Sequence, residues 1–135
     1  MRSSRLTVSA DTFINRSTVK ALDPRVQLII DLMKSGLHRN LTLSELATSA
    51  NLSLSYLHHL FKAETGTTPW LYLHSLRLEK AQVLLVNTML SVKQIMNQVG
   101  IKDKSHFGRQ FKKTYGKSPA QYRLSAKMER YLQSV

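Results

Sequence analysis

The chain has 135 residues, 42% of them hydrophobic, which is enough to bury a core of its own without staples. Twenty Lys and Arg against eight Asp and Glu leave a formal charge of +12, an excess that points to a polyanionic partner. Cysteine is absent, which excludes disulfides and thiolate metal sites, and neither a signal-like leader nor a run of about eighteen apolar residues occurs. A soluble, cytoplasmic protein with no membrane association is expected.

Residues 1–22 are rich in Ser, Thr and Arg without sustained periodicity, and read as a flexible arm or linker. The folded part is expected over 23–124, with 126–135 left as a tail. Its first helix opens at "LDPRVQLIIDLMKSG": Asp23 can cap the free amides, Pro24 suits the first turn and Gly36 can close the end. Val26, Ile29, Ile30 and Met33 then make one apolar stripe at helical spacing.

Beyond this helix the chain carries one supersecondary unit twice. "LTLSELATSANLSLSYLHHLFKAETGTTPWLY" aligns with "LSVKQIMNQVGIKDKSHFGRQFKKTYGKSPAQY", the second copy carrying one extra residue near its middle. Thr42 pairs with Ser91, Leu46 with Ile95, Ala50 with Val99 and Leu52 with Ile101. After the insertion Leu57 pairs with Phe107, Phe61 with Phe111, Gly66 with Gly116, Pro69 with Pro119 and Tyr72 with Tyr122. Each copy begins with a capping box, Thr42 to Glu45 or Ser91 to Gln94, that opens a short helix. A break comes next at Asn51 or Gly100, residue types that tolerate left-handed backbone. A second helix starts at a new cap, Ser53 or Asp103, and ends before Gly66 or Gly116. The fold class is therefore all-α, with helix-turn-helix units over about 42–65 and 91–115.

Between the copies, "PWLYLHSLRLEKAQVLLVN" predicts a long central helix over about 69–87. Its polar residues Ser75, Glu79 and Gln82 form a narrow wedge, and Trp70, Leu71, Leu73, Leu76, Leu78, Ala81, Val83, Leu84 and Leu85 cover most of the rest. Such a helix should be packed on several sides, with Trp70 and Tyr72 in the core, as a spacer holding the two units apart. Arg77 falls inside the apolar arc, where a structural hydrogen bond or ion pair is expected.

In a helix-turn-helix the second helix enters the major groove of double-stranded DNA and its outer face reads base edges. Copy one would offer Ser55, Tyr56, His58 and His59 to the bases; copy two would offer Lys104, Ser105, His106, Gly108 and Arg109. Lys62, Lys112, Lys113 and Lys117, near helix ends and loops, suit phosphates. The histidines of copy one predict contacts that strengthen as pH falls toward about 6.5. Enzymatic chemistry fares poorly. "GKS" at 116–118 would need glycine at 111 to complete a phosphate-binding loop, but Phe111 stands there and Pro119 comes directly after. Adjacent His58 and His59 diverge on a helix, so no metal or cofactor is implied. A nonspecific nucleic-acid-binding module and a helical protein-interaction adaptor are the competing readings.

The stretches "LHHLFKAETGTTPWLYLHSLRLEKAQVLL" and "SVKQIMNQVGIKDKSHFGRQFKKTYGKSPAQYR" closely resemble the DNA-binding domain of AraC/XylS-type bacterial transcription regulators. The likeness rests on the Arg-Leu, Ala and Leu-Leu pattern of the central helix, the Val-Gly turn, two inward Phe, and the Gly-x-[ST]-Pro-x-x-Tyr-Arg close at Gly116 to Arg123. Met96 stands where the family usually has Ala, and Ile101 where it usually has Phe. The resemblance implies about seven helices, including a closing helix over about 119–125, and two recognition helices in successive major grooves. It also implies a transcription regulator, usually an activator touching RNA polymerase, that binds DNA as a monomer unless part of a longer dimeric protein. A bacterial, nucleoid-associated location goes with that. Many family members carry a separate effector domain, so the chain reads either as a standalone regulator or as an output domain.

Overall fold

A computed structural model of the chain describes residues 21–134. The arm expected over 1–22 lies, but for its last two residues, outside the described region. Seven helices occur in order: α1 (Pro24–Ser35), α2 (Leu43–Ser49), α3 (Leu54–Thr65), α4 (Pro69–Asn87), α5 (Val92–Val99), α6 (Lys104–Tyr115) and α7 (Pro119–Gln133).

Side-chain caps decide where these helices begin. Asp23 Oδ1 accepts the Arg25 N–H at 2.8 Å, while the Asp23 amide donates to Glu64 Oε1 at 2.6 Å and ties the start of α1 to α3. In α2, Thr42 Oγ1 accepts from the Glu45 amide and Glu45 Oε1 accepts from the Thr42 amide, both at 3.1 Å. Ser91 and Gln94 repeat this at the start of α5, at 3.1 and 2.8 Å. Ser118 and Gln121 form a third box, so "GKSP" is a helix stop and restart. The extra residue of the second copy is Lys102, exposed in the turn between α5 and α6.

The duplication extends to the core, which is split in two. Val26, Ile29, Ile30, Met33, Leu46, Leu57, Phe61 and Leu73 bury together in the first unit. Leu78, Ala81, Leu85, Ile95, Met96, Val99, Ile101, Phe107 and Phe111 make the second, so Met96 and Ile101 both serve as core residues. Helix α4 belongs to both, giving Leu73 to one and Leu78, Ala81 and Leu85 to the other. Matched aromatics reinforce each unit: Phe61 meets Tyr72 edge-on at 5.3 Å, and Phe111 meets Tyr122 edge-on at 5.4 Å.

Two expectations change. Helix α4 is not covered on most sides: Trp70, Leu71 and Val83 are 51%, 52% and 45% exposed, while Tyr72 is half-buried. The helix gives its buried residues to the two cores one after the other along its length, which leaves these three side chains on sides that neither core covers. Trp70 stacks instead on His74, with ring centroids 5.1 Å apart and planes 11° from parallel. The closing helix does not stop at 125, and residues 126–133 are helical rather than a tail. Its arginines explain the length. Arg123 donates to the carbonyls of Leu85 and Thr88 at 3.1 and 3.3 Å, and Arg130, two turns on, donates to Val86 O. Both occupy the free carbonyls at the C-terminus of α4, where the helix dipole also favours a cation. Gln82, in the polar wedge, donates to the Tyr122 hydroxyl at 2.8 Å and adds a further tie between α4 and α7.

Candidate nucleic-acid interface

The outward face of each unit is set by what its second helix buries. In α3, Leu57 and Phe61 point into the core, which turns Ser55, Tyr56, His58, His59 and Lys62 outward on one exposed arc. In α6, Phe107 and Phe111 are the buried pair, and Lys104, Ser105, Arg109, Lys112 and Lys113 are exposed. Lys62, Lys112 and Lys113 lie in the last turns of their helices, where the dipole tolerates positive charge. Gly108 is half-buried on the flank, yet no other part of the described protein comes within 4 Å of where its Cβ would stand. Glycine in a helix interior costs about 1 kcal/mol relative to alanine, and packing within the domain does not demand it.

Three positions depart from a simple outward face. His106 is half-buried and turned toward α4, its ring 5.5 Å from that of His74. Lys117 donates to Ser125 Oγ at 2.8 Å and so leans along α7. Tyr56 lies beneath Arg25 of α1, whose guanidinium carbon is 5.6 Å from the ring centroid, and its other neighbour is the His59 ring at 6.3 Å. Arg25 therefore brings a guanidinium, paired with Asp23, to the first face, which helix periodicity could not reveal because the contact joins two helices. Lys102 adds another beside the second; the one-residue insertion in the repeat was its only sequence signal.

Formal charge sits mainly on the second face, where α6 carries Lys104, Arg109, Lys112 and Lys113 against Lys62 alone on α3. Among the described residues the one ion pair is Arg25 with Asp23, at 2.9 Å, so the lysines and arginines of α3 and α6 have no carboxylate partner there. The Arg25 guanidinium beside Asp23 holds its carboxyl down at about 2. Asp103, the cap of α6, accepts the His106 amide at 3.0 Å, and that bond holds its pKa below the usual range. Its charge is directed at the helix N-terminus.

His74, between Trp70 and His106, is the perturbed histidine. Burial pushes its pKa down, the neighbouring His106 and Arg77 push the same way, and its buried Nε2 has no protein partner among the described residues. The folded state thus prefers the neutral ring. Stability from this site is complete above the ordinary histidine pKa of about 6.5 and declines as pH falls through that value toward the lower folded one. Between about pH 7.5 and 5.5 the melting temperature is expected to fall, and His74→Phe should flatten that fall. An equally steep decline in the variant would assign it to other groups.

Two capped helix pairs, each presenting an exposed face of its second helix and joined through a shared central helix, define a duplicated helix-turn-helix domain. Known proteins bear the same pattern. Residues 46–125 match the family described as "Helix-turn-helix domain". The chain is 44% identical over 100 residues to the transcriptional activator NphR of Rhodococcus sp, covering 73% of this chain but 29% of that protein. It is similar in structure to the C-terminal domain of AraT, a response regulator from Geobacillus stearothermophilus, with TM-score 0.74 and 34% identity over 78% of this chain and 88% of that one. The DNA-binding domain of AdpA, a global transcriptional factor solved in complex with a target DNA, also has TM-score 0.74, with 27% identity over 80% of this chain and 96% of its own. The chain belongs to the AraC family of helix-turn-helix regulators. No helix among the described residues is long and apolar enough to cross a membrane.

Proposed function

We propose that the domain binds double-stranded DNA sequence-specifically and regulates transcription, as an activator that also touches RNA polymerase, in the bacterial cytoplasm. The observation that carries this reading is the pair of exposed second-helix faces, of which α6 presents Lys104, Arg109, Lys112 and Lys113 with no carboxylate partner among the described residues. Helices α3 and α6 enter successive major grooves, so one monomer reads two half-sites about one helical turn, ~34 Å, apart. Arg109 and Lys104 donate to guanine O6 and N7, Ser55, Ser105, His58 and His59 donate or accept at base edges, and Tyr56 packs against them. Gly108 leaves room for the DNA backbone or a base edge to come close. Lys62, Lys112, Lys113 and Lys117 hold phosphates. The name of NphR, an activator, and the DNA bound to AdpA support the assignment.

Competition decides it. A duplex selected from a random pool should outcompete random DNA by about 10³-fold or more at moderate salt. Equal competition by random duplex would leave a nonspecific nucleic-acid binder, and no binding at all would leave a protein adaptor. Lys113→Ala is expected to weaken every duplex alike and to lower the slope of log affinity against log salt by about one. A loss confined to particular sequences would move Lys113 to the base-reading set.

A further inference from the structure

The two units touch through their turns as well as through α4. An ideal Cβ at Gly100, in the turn between α5 and α6, would lie 2.0 Å from the Leu37 carbonyl oxygen and 3.3 Å from Arg77 Nε. Leu37 belongs to the α1–α2 connection of the other unit and is itself buried. Arg77, half-buried on α4 between the two cores, donates through Nη2 to Arg39 O in the same connection at 3.2 Å. Gly100 therefore rests against the Leu37 backbone, with Arg77 bridging from the central helix to the same loop.

The internal repeat separates what the turn needs from what this contact needs. Gly100 has φ +78, and its counterpart in the first copy, Asn51, has φ 57. Both turns are left-handed, and the first carries an exposed asparagine side chain without difficulty. Asparagine tolerates this conformation, so the turn alone does not require glycine. The Leu37 carbonyl does, because it fills the space any side chain at 100 would take.

We propose that the Leu37–Gly100 contact, clamped by Arg77, locks the separation and rotation of the two recognition helices and so selects DNA by the spacing between its half-sites. The inference rests on the DNA binding proposed for α3 and α6. Moving one half-site by one base pair changes its distance by about 3.4 Å and rotates it about the duplex by about 35°. A locked pair of helices can comply only by deforming the DNA, whereas a loosened pair can comply by re-orienting one unit.

The test starts from half-sites selected by the wild-type protein, re-presented at the selected spacing and at one or two base pairs more or less. Wild type should prefer one spacing by about tenfold or more, the equivalent of a modest bending cost. Gly100→Asn, which the turn tolerates, and Arg77→Met, which leaves the turn untouched, should bind each half-site with unchanged base preference while the spacing preference flattens to within about threefold. Asn51→Gly, the mirror change outside the contact, should leave spacing preference intact. Thermal melting establishes that each variant is folded, and Arg77→Met carries the test if Gly100→Asn is not. Folded variants that keep the wild-type spacing preference overturn the lock and leave DNA binding standing. A wild-type protein that reads both half-sites with no spacing preference does the same. A wild-type protein that enriches no duplex overturns the DNA reading, and the lock with it.

Discussion

Phe111→Ala is expected to destabilise the second unit by about 3–5 kcal/mol, the usual cost of emptying a fully buried phenylalanine site. Phe111 has no exposed surface and contacts three aromatic neighbours: Phe107 at 5.7 Å, Tyr115 at 4.7 Å and Tyr122 at 5.4 Å between ring centroids. Nine buried residues make up that core, so one of its two phenylalanine rings cannot be removed and compensated by small shifts. A whole domain commonly has only about 5–15 kcal/mol in hand. Because the first core shares α4 but not Phe111, urea unfolding monitored separately in each unit should show the second lost at lower denaturant than the first. A midpoint shift worth less than about 1 kcal/mol would mean that the site collapses around the missing ring, against this account of its packing.

Arg109→Ala should cost about 1–3 kcal/mol in DNA affinity at one base pair and relax preference there, leaving the other positions sharp. Arg109 is exposed on α6, one turn after Ser105, on the side away from Phe107 and Phe111. Its guanidinium has no carboxylate partner among the described residues, so binding does not first have to break an ion pair. The planar fork can meet guanine O6 and N7 together, which a lysine cannot match in geometry. Affinity measured over single-base-pair variants of a selected duplex distinguishes the roles. Uniform weakening would place Arg109 on a phosphate, and no change would take it out of the interface.

The range of each interaction decides how much of it was legible in the chain. The caps at Asp23, Thr42, Ser91 and Asp103 bind amides two or three residues away, so residue order alone exposes them. The inward Phe pairs and the exposed arcs of α3 and α6 emerge from helical spacing for the same reason. Trp70 and Leu71 were misplaced because apolar character states a preference for burial, while coverage depends on which element arrives opposite. The length of α7 was missed similarly, since Arg130 finds its acceptor 44 residues back.

The sequence by itself determined the duplicated helix-turn-helix architecture, the family and the outward arcs of α3 and α6, because each depends on residues within a turn or two of one another. Only the tertiary structure decided how the two units are coupled. It set Leu37 O against Gly100, brought Arg77 to a carbonyl 38 residues away, turned His106 toward His74, laid Arg25 over Tyr56 and closed the end of α4 with arginines from α7. These contacts join residues far apart in the chain, and no local periodicity records them; they exist only once two cores have packed against one shared helix.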